Sequence, residues 1–249
     1  MVWHKADSES QKDSVFLTSL NAEGVWSEPV VVANCASMRR AGIQTALTHT
    51  AADPDTGLRA TLVHIAWWGL GTDLTAEYAM VAFEGGQRVS IDVQKLNDLT
   101  GRGDTSDAND FEDTGSALHP PLAIATDGPN VDVVYGAANT TKVVRAHIEP
   151  RLVKSEARLW RPLGRDGGRT GPSHLVAADA EPLEAFISKG RIVLYRPGVQ
   201  FRYVVLGNGE WSPERMIQLD DNLTTDQFLR ELRRTVSEQS AVDEQPEEQ

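Results

Sequence analysis

The chain has 249 residues, 40% of them hydrophobic, enough for one large β domain or two smaller ones. Its 36 acidic and 24 basic side chains leave a formal charge of −12, a field that repels phosphate backbones and excludes nucleic acid as an expected partner. The one cysteine, Cys35, excludes an intrachain disulfide and a cysteine-rich metal site, and no apolar run approaches the ~20 residues of a membrane helix, so no membrane insertion is expected.

Met1 to Lys12 contains no signal-peptide apolar region. Val2-Trp3 is the first of four short apolar segments that end on an aromatic ring. A polar turn follows, then a strand over Ser14–Leu20, the turn Asn21-Ala22-Glu23-Gly24, and a strand opening Val25-Trp26-Ser27-Glu28-Pro29. Gly and Asn suit that turn because hairpin loops need positive φ. Proline suits an outer strand, where its missing N–H breaks no ladder bond.

The second unit adds an upstream strand, Ile43–Ala52. Next come Leu62–Trp68, Ala76–Phe83 and the turn Glu84-Gly85-Gly86. The third unit reads Leu122–Thr126, Val131–Tyr135 and Thr141–Ile148. The fourth reads Leu175–Ala178 with Glu184–Ser188, then Arg191–Tyr195, Gln200–Leu206, Gly207-Asn208-Gly209 and Glu210-Trp211-Ser212-Pro213-Glu214. Alternation and β-branched residues mark these as strands. After Asp220-Asp221 the apolar face Phe228, Leu229, Leu232 and Val236, capped by Thr224 or Thr225, predicts a helix over 223–236. The polar, acidic tail 237–249 reads as disordered.

The aromatic ends recur at steps of 64 residues (Trp3 to Trp67), 68 (to Tyr135) and 60 (to Tyr195). Each step holds about four strands. The expected fold is therefore all-β: a β-propeller of about four blades over 1–222, each of four antiparallel strands. A β-sandwich also has short strands and turns. It does not account for the Trp-Ser signature at Trp26 and again at Trp211. The first blade lacks its innermost strand, so the chain reads as the C-terminal part of a longer propeller with Met1 as an internal start. An open propeller that closes by oligomerisation is the alternative.

The segments Trp26-Ser27-Glu28-Pro29 and Trp211-Ser212-Pro213, with the strands before them, resemble the blades of sialidase-like (BNR-type) bacterial propellers. The resemblance implies an exported or cell-surface protein. The Asp-box turns, paired arginines and Tyr–Glu couple of the catalytic members are absent, so no catalytic residue is carried over. The expected function is a non-enzymatic scaffold offering a protein- or carbohydrate-binding surface. The alternative is a glycoside hydrolase or lyase with its site at the channel mouth.

Three histidines precede the aromatic ends at similar distances: His49 by 18 residues, His119 by 16 and His174 by 21. Asp53, Asp127 and Asp179 follow them. Imidazoles gathered at one channel mouth suit a ligand or a divalent metal, the one cofactor anticipated; shared ancestry of strand caps is the plainer account. Asp104, Asp107, Asp110 and Asp113 crowd one loop and offer oxygen ligands for calcium, without EF-hand spacing. A solvated loop gives the same composition. Arg102-Gly103-Asp104 is a three-residue match with no weight. Trp67 and Trp68 place one ring on each strand face. Arg161 to Gly171 reads as a flexible loop, not a phosphate loop, and nothing activates Cys35.

Overall fold

The computed structural model describes residues 1–7, 12–21, 23–35, 43–70, 74–99, 122–136, 143–154, 158–169, 184–188, 191–196, 201–207 and 210–217, with Gln227, Arg230, Glu231, Arg234, Thr235 and Glu238. These form an all-β architecture of four antiparallel sheets in chain order. The first holds β1 (Val2–Asp7), β2 (Lys12–Leu17) and β3 (Val30–Cys35). The second holds β4 (Gln44–His49), β5 (Ala60–Leu70), β6 (Leu74–Glu84) and β7 (Gln87–Lys95), and the short α1 (Leu96–Leu99) follows. The third holds β8 (Leu122–Asp127), β9 (Asn130–Gly136), β10 (Val143–Lys154) and β11 (Arg158–Arg169). The fourth holds β12 (Glu184–Ser188), β13 (Arg191–Arg196), β14 (Phe201–Gly207) and β15 (Glu210–Trp211), with β16 (Arg215–Ile217) also on β14.

Each sheet is a meander in which sequence neighbours pair, except that β16 returns to β14. Local chemistry sets the hairpins. Between β6 and β7 the two loop residues, Gly85 and Gly86, have φ of 57° and 80°, the double positive φ of a type I′ turn. Between β8 and β9 the loop is Gly128-Pro129, with Gly128 at 58°. Positive φ followed by the fixed negative φ of proline suits a type II′ turn.

The middle sheets are buried on both faces, which is why β5 reads as an almost unbroken apolar run. One face of the second sheet carries Ile65, Trp67, Ala79 and Val81 and packs on Val15, Leu17 and Val32 of the first. Its other face carries Leu62, Trp68, Tyr78 and Met80 and packs on Leu122, Ile124, Val133 and Tyr135 of the third. The third sheet's far face puts Ala123, Ala125 and Val134 against Ile192, Val204 and Leu206 of the fourth. Each large apolar side chain withdrawn from water contributes about 1.5–3 kcal/mol. The leading strands β4, β8 and β12 lie side by side, as do the outer strands β7 and β11. At that outer contact Trp160 Nε1 donates to Glu84 Oε1 at 2.8 Å. Gly164 lies against α1, where a β-carbon would overlap the Leu99 side chain.

Several expectations change in detail. The stretch expected to be a loop from Arg161 is strand β11 as far as Arg169, because alternate residues from Trp160 to Gly164 pack on the second sheet and α1. β2 ends at Leu17, and Leu20 and Trp26 form only an isolated bridge. Cys35 is the last residue of β3. Tyr195 does not share the place of Trp67 and Tyr135. It alternates with Ile192, Val204 and Leu206 in the register and so lies on the face turned away from the third sheet. No continuous helix is delimited over 223–236; of its described residues Gln227, Arg230, Glu231, Arg234 and Thr235 are helical. Glu238, in the stretch expected to be disordered, is helical too and accepts from Arg234 at 2.9 Å.

Candidate functional site

His49 is the last residue of β4, exposed, with Nδ1 3.2 Å from Thr61 Oγ1. His119 and His174 lie outside the described residues, as do Asp104, Asp107, Asp110 and Asp113. In the chain His119 precedes β8 and His174 precedes β12, whereas His49 closes β4. Asp53 is occupied locally: its Oδ1 accepts from the N–H groups of Asp55 at 2.8 Å and Thr56 at 3.2 Å. Among the described residues no three His, Cys, Asp or Glu side chains converge on one point.

Two polar networks lie between sheets, and neither was foreseen from the sequence. The first spans β4, β5 and β6. His64 Nε2 is 2.8 Å from Thr48 Oγ1, and His64 Nδ1 is 2.6 Å from the Tyr78 hydroxyl. A neutral imidazole has one donor and one acceptor nitrogen, so the two hydroxyls satisfy both ends. Burial pushes the His64 pKa down to about 3 and keeps the ring neutral. Burial, and then the Asp92 charge, pushes the Tyr78 phenol up.

The second network lies on the third sheet's face toward the fourth. Arg145 donates to both oxygens of Asp132, Nε at 2.9 Å and Nη2 at 3.0 Å. His147, directly opposite Asp132 in the register, places Nδ1 2.9 Å from the same carboxylate. The series continues along the strand face to Glu149, 3.8 Å from His147 Nε2, and to exposed Arg151. Spacing of two along β10 was the signal for this ladder: residues 145, 147, 149 and 151 must share a face. The planar guanidinium neutralises the buried carboxylate, which is what lets it stay buried.

The repeated Trp-Ser signature is a structural clamp. Leu20 bridges Trp26, and Leu206 pairs with Trp211. Ser27 Oγ accepts from the Ser19 N–H at 3.1 Å, while its own N–H donates to the Ser19 carbonyl at 2.8 Å. Ser212 repeats this with Val205, at 3.0 Å and 2.8 Å. The clamp holds the strand where a proline would otherwise end the ladder.

Most of the exposed apolar surface of the first sheet gathers at two places. In its β2–β3 connection Asn21 Oδ1 accepts from Glu23 N–H at 3.0 Å and Val25 N–H at 2.8 Å, with Gly24 at φ 79°. That turn presents Leu20, Val25 and Trp26, each more than half exposed. On the face turned away from the second sheet, Trp3 stacks on Phe16 with ring centres 5.5 Å apart, next to Val31. Among the described residues no helix is long and apolar enough to cross a membrane. No protein-family model, curated protein or solved structure matches the chain.

Proposed function

We propose that the chain is a β-propeller-type scaffold of about four blades, the first incomplete, whose exposed surface binds a protein or a glycan without catalysis. One observation carries this reading. Four successive meanders pack face to face in chain order with leading strands β4, β8 and β12 adjacent, as radial blades would be. The buried titratable groups support the non-catalytic part, since His64 and Asp132 spend their polar atoms on partners inside the sheets. The Trp26 turn supports the binding part: an exposed indole on a preorganised turn offers a large contact area at small entropic cost. The resemblance to sialidase-like blades belongs to this proposal at the level of architecture.

The test compares the wild-type chain with Trp26→Ser as probes on a glycan array and as baits for protein capture. At least one ligand should give a tenfold stronger signal with the wild type. Equal retention of every ligand by both chains, or turnover of aryl glycosides, contradicts the reading.

A further inference from the structure

The second, third and fourth sheets each begin on a leading strand, β4, β8 or β12, that pairs antiparallel with the strand after it. The first sheet packs its β3 on the outer strands β6 and β7 of the second, and beside β1, next to β4, there is no described strand. The backbone of β1 is set to pair there. The Met1 nitrogen donates to the Thr18 carbonyl at 2.8 Å, and the Thr18 N–H donates to the Met1 carbonyl at 3.0 Å. In an antiparallel ladder, residues that exchange both bonds alternate with residues that direct both groups outward. The β1–β2 register runs without a shift, so Val2, His4 and Ala6 turn their N–H and C=O groups away from β2. The neighbouring flank of β4 is open as well. Thr45, Leu47 and His49 lie on its face toward the first sheet, and all three are exposed, Leu47 at 52%. In β8 the side chains turned toward the preceding sheet are Leu122 and Ile124, buried at 5% and 0%, with Thr126 exposed near the strand end.

We propose that the free edge of β1 binds one extended segment of a partner polypeptide, which adds antiparallel to β1 and lies over the open flank of β4. Continuity with the row of leading strands fixes the chemistry of the occupant. Strands in that row turn small side chains toward the following sheet, Ala46 in β4 and Ala123 and Ala125 in β8. β8 turns Leu122 and Ile124 the other way. The segment that fits therefore alternates, with small side chains toward β4 and aliphatic ones on the side of Trp3 and Phe16. Main-chain bonds to an exposed edge supply affinity, and alternate side chains supply selectivity. The proposal deepens the scaffold reading by naming the class of protein ligand. It rests on the order of sheets in that reading and not on the Trp26 turn.

The test titrates the full chain against a dye-labelled peptide, Leu-Ala-Ile-Ala-Thr-Asp, copied from β8, and follows fluorescence anisotropy. Binding should saturate below about 1 mM peptide, the weak end of ordinary affinities, and the amide signals of Val2, His4 and Ala6 should shift in NMR spectra. His4→Pro removes one outward N–H, a change that an edge strand tolerates. It should weaken binding at least tenfold while leaving the circular dichroism spectrum unchanged. Thr45→Glu places a carboxylate on the exposed flank of β4 and should weaken binding as much, whereas Trp26→Ser should bind the peptide as the wild type does. No saturation up to about 1 mM, or binding that either His4→Pro or Thr45→Glu leaves unchanged, overturns the proposal. Failure here leaves the ligand comparison of Trp26→Ser standing, and failure there leaves the β1 edge standing.

Discussion

His64 is a base held where water cannot reach it. Its folded pKa of about 3 lies below the ordinary value near 6.5. Between these values the unfolded chain takes up a proton that the folded chain does not. The stability contributed by the neutral ring is therefore complete above pH 6.5 and is lost as pH falls toward 3. From pH 7 to pH 5 this one residue should remove about 2 kcal/mol of stability. Urea denaturation at the two pH values measures it, and His64→Gln should flatten the slope; an unchanged slope contradicts the assignment. Asp132 gives a prediction that does not involve titration. Asp132→Ala removes the carboxylate that accepts two hydrogen bonds from the buried Arg145 guanidinium and should cost about 1.5–3 kcal/mol. Replacing both partners, Asp132→Leu with Arg145→Met, should recover most of that loss in the same assay. Equal losses for the single and double variants contradict a paired-charge role.

At the scale of elements, the Trp-Ser signature joins sequence to structure most directly. Ser27 and Ser212 each exchange two hydrogen bonds with one backbone residue, Ser19 just after β2 and Val205 within β14. Ser27→Ala and Ser212→Ala should each cost about 1 kcal/mol, measured as a shift in the denaturation midpoint, with Trp26→Ser costing less because its ring is exposed. Strand existence was legible because alternation, β-branching and paired glycines are local properties. The second strand of every unit was found this way, as was the place of Trp67 and Trp68 on opposite faces. What failed depended on tertiary packing. The loop reading from Arg161 came from its Gly and Arg content, yet Trp160 and Gly164 are drawn onto the second sheet and α1. The equivalence of Tyr195 with Trp67 failed because a one-residue difference in register moves a ring to the other face. The ladder from Asp132 to Glu149 escaped notice because its members come from two strands whose register the sequence does not state.

The described strands form a series of four sheets in chain order, each packed on the next. That order explains why β5 and β9 are buried on both faces while the first sheet keeps one face partly open. It also separates the fold from a two-layer sandwich, in which each sheet would bury one face only. Methyl-resolved NMR on Ile, Leu and Val labelled protein tests the order most directly. Contacts should join Val15 and Leu17 to Ile65 and Val81, Leu62 to Leu122 and Ile124, and Val134 to Ile192 and Leu206. Cross-peaks joining Val15 or Leu17 to Ile124 or Val133, or loss of the Val134–Ile192 set in the folded protein, would contradict the arrangement on which the proposed scaffold stands.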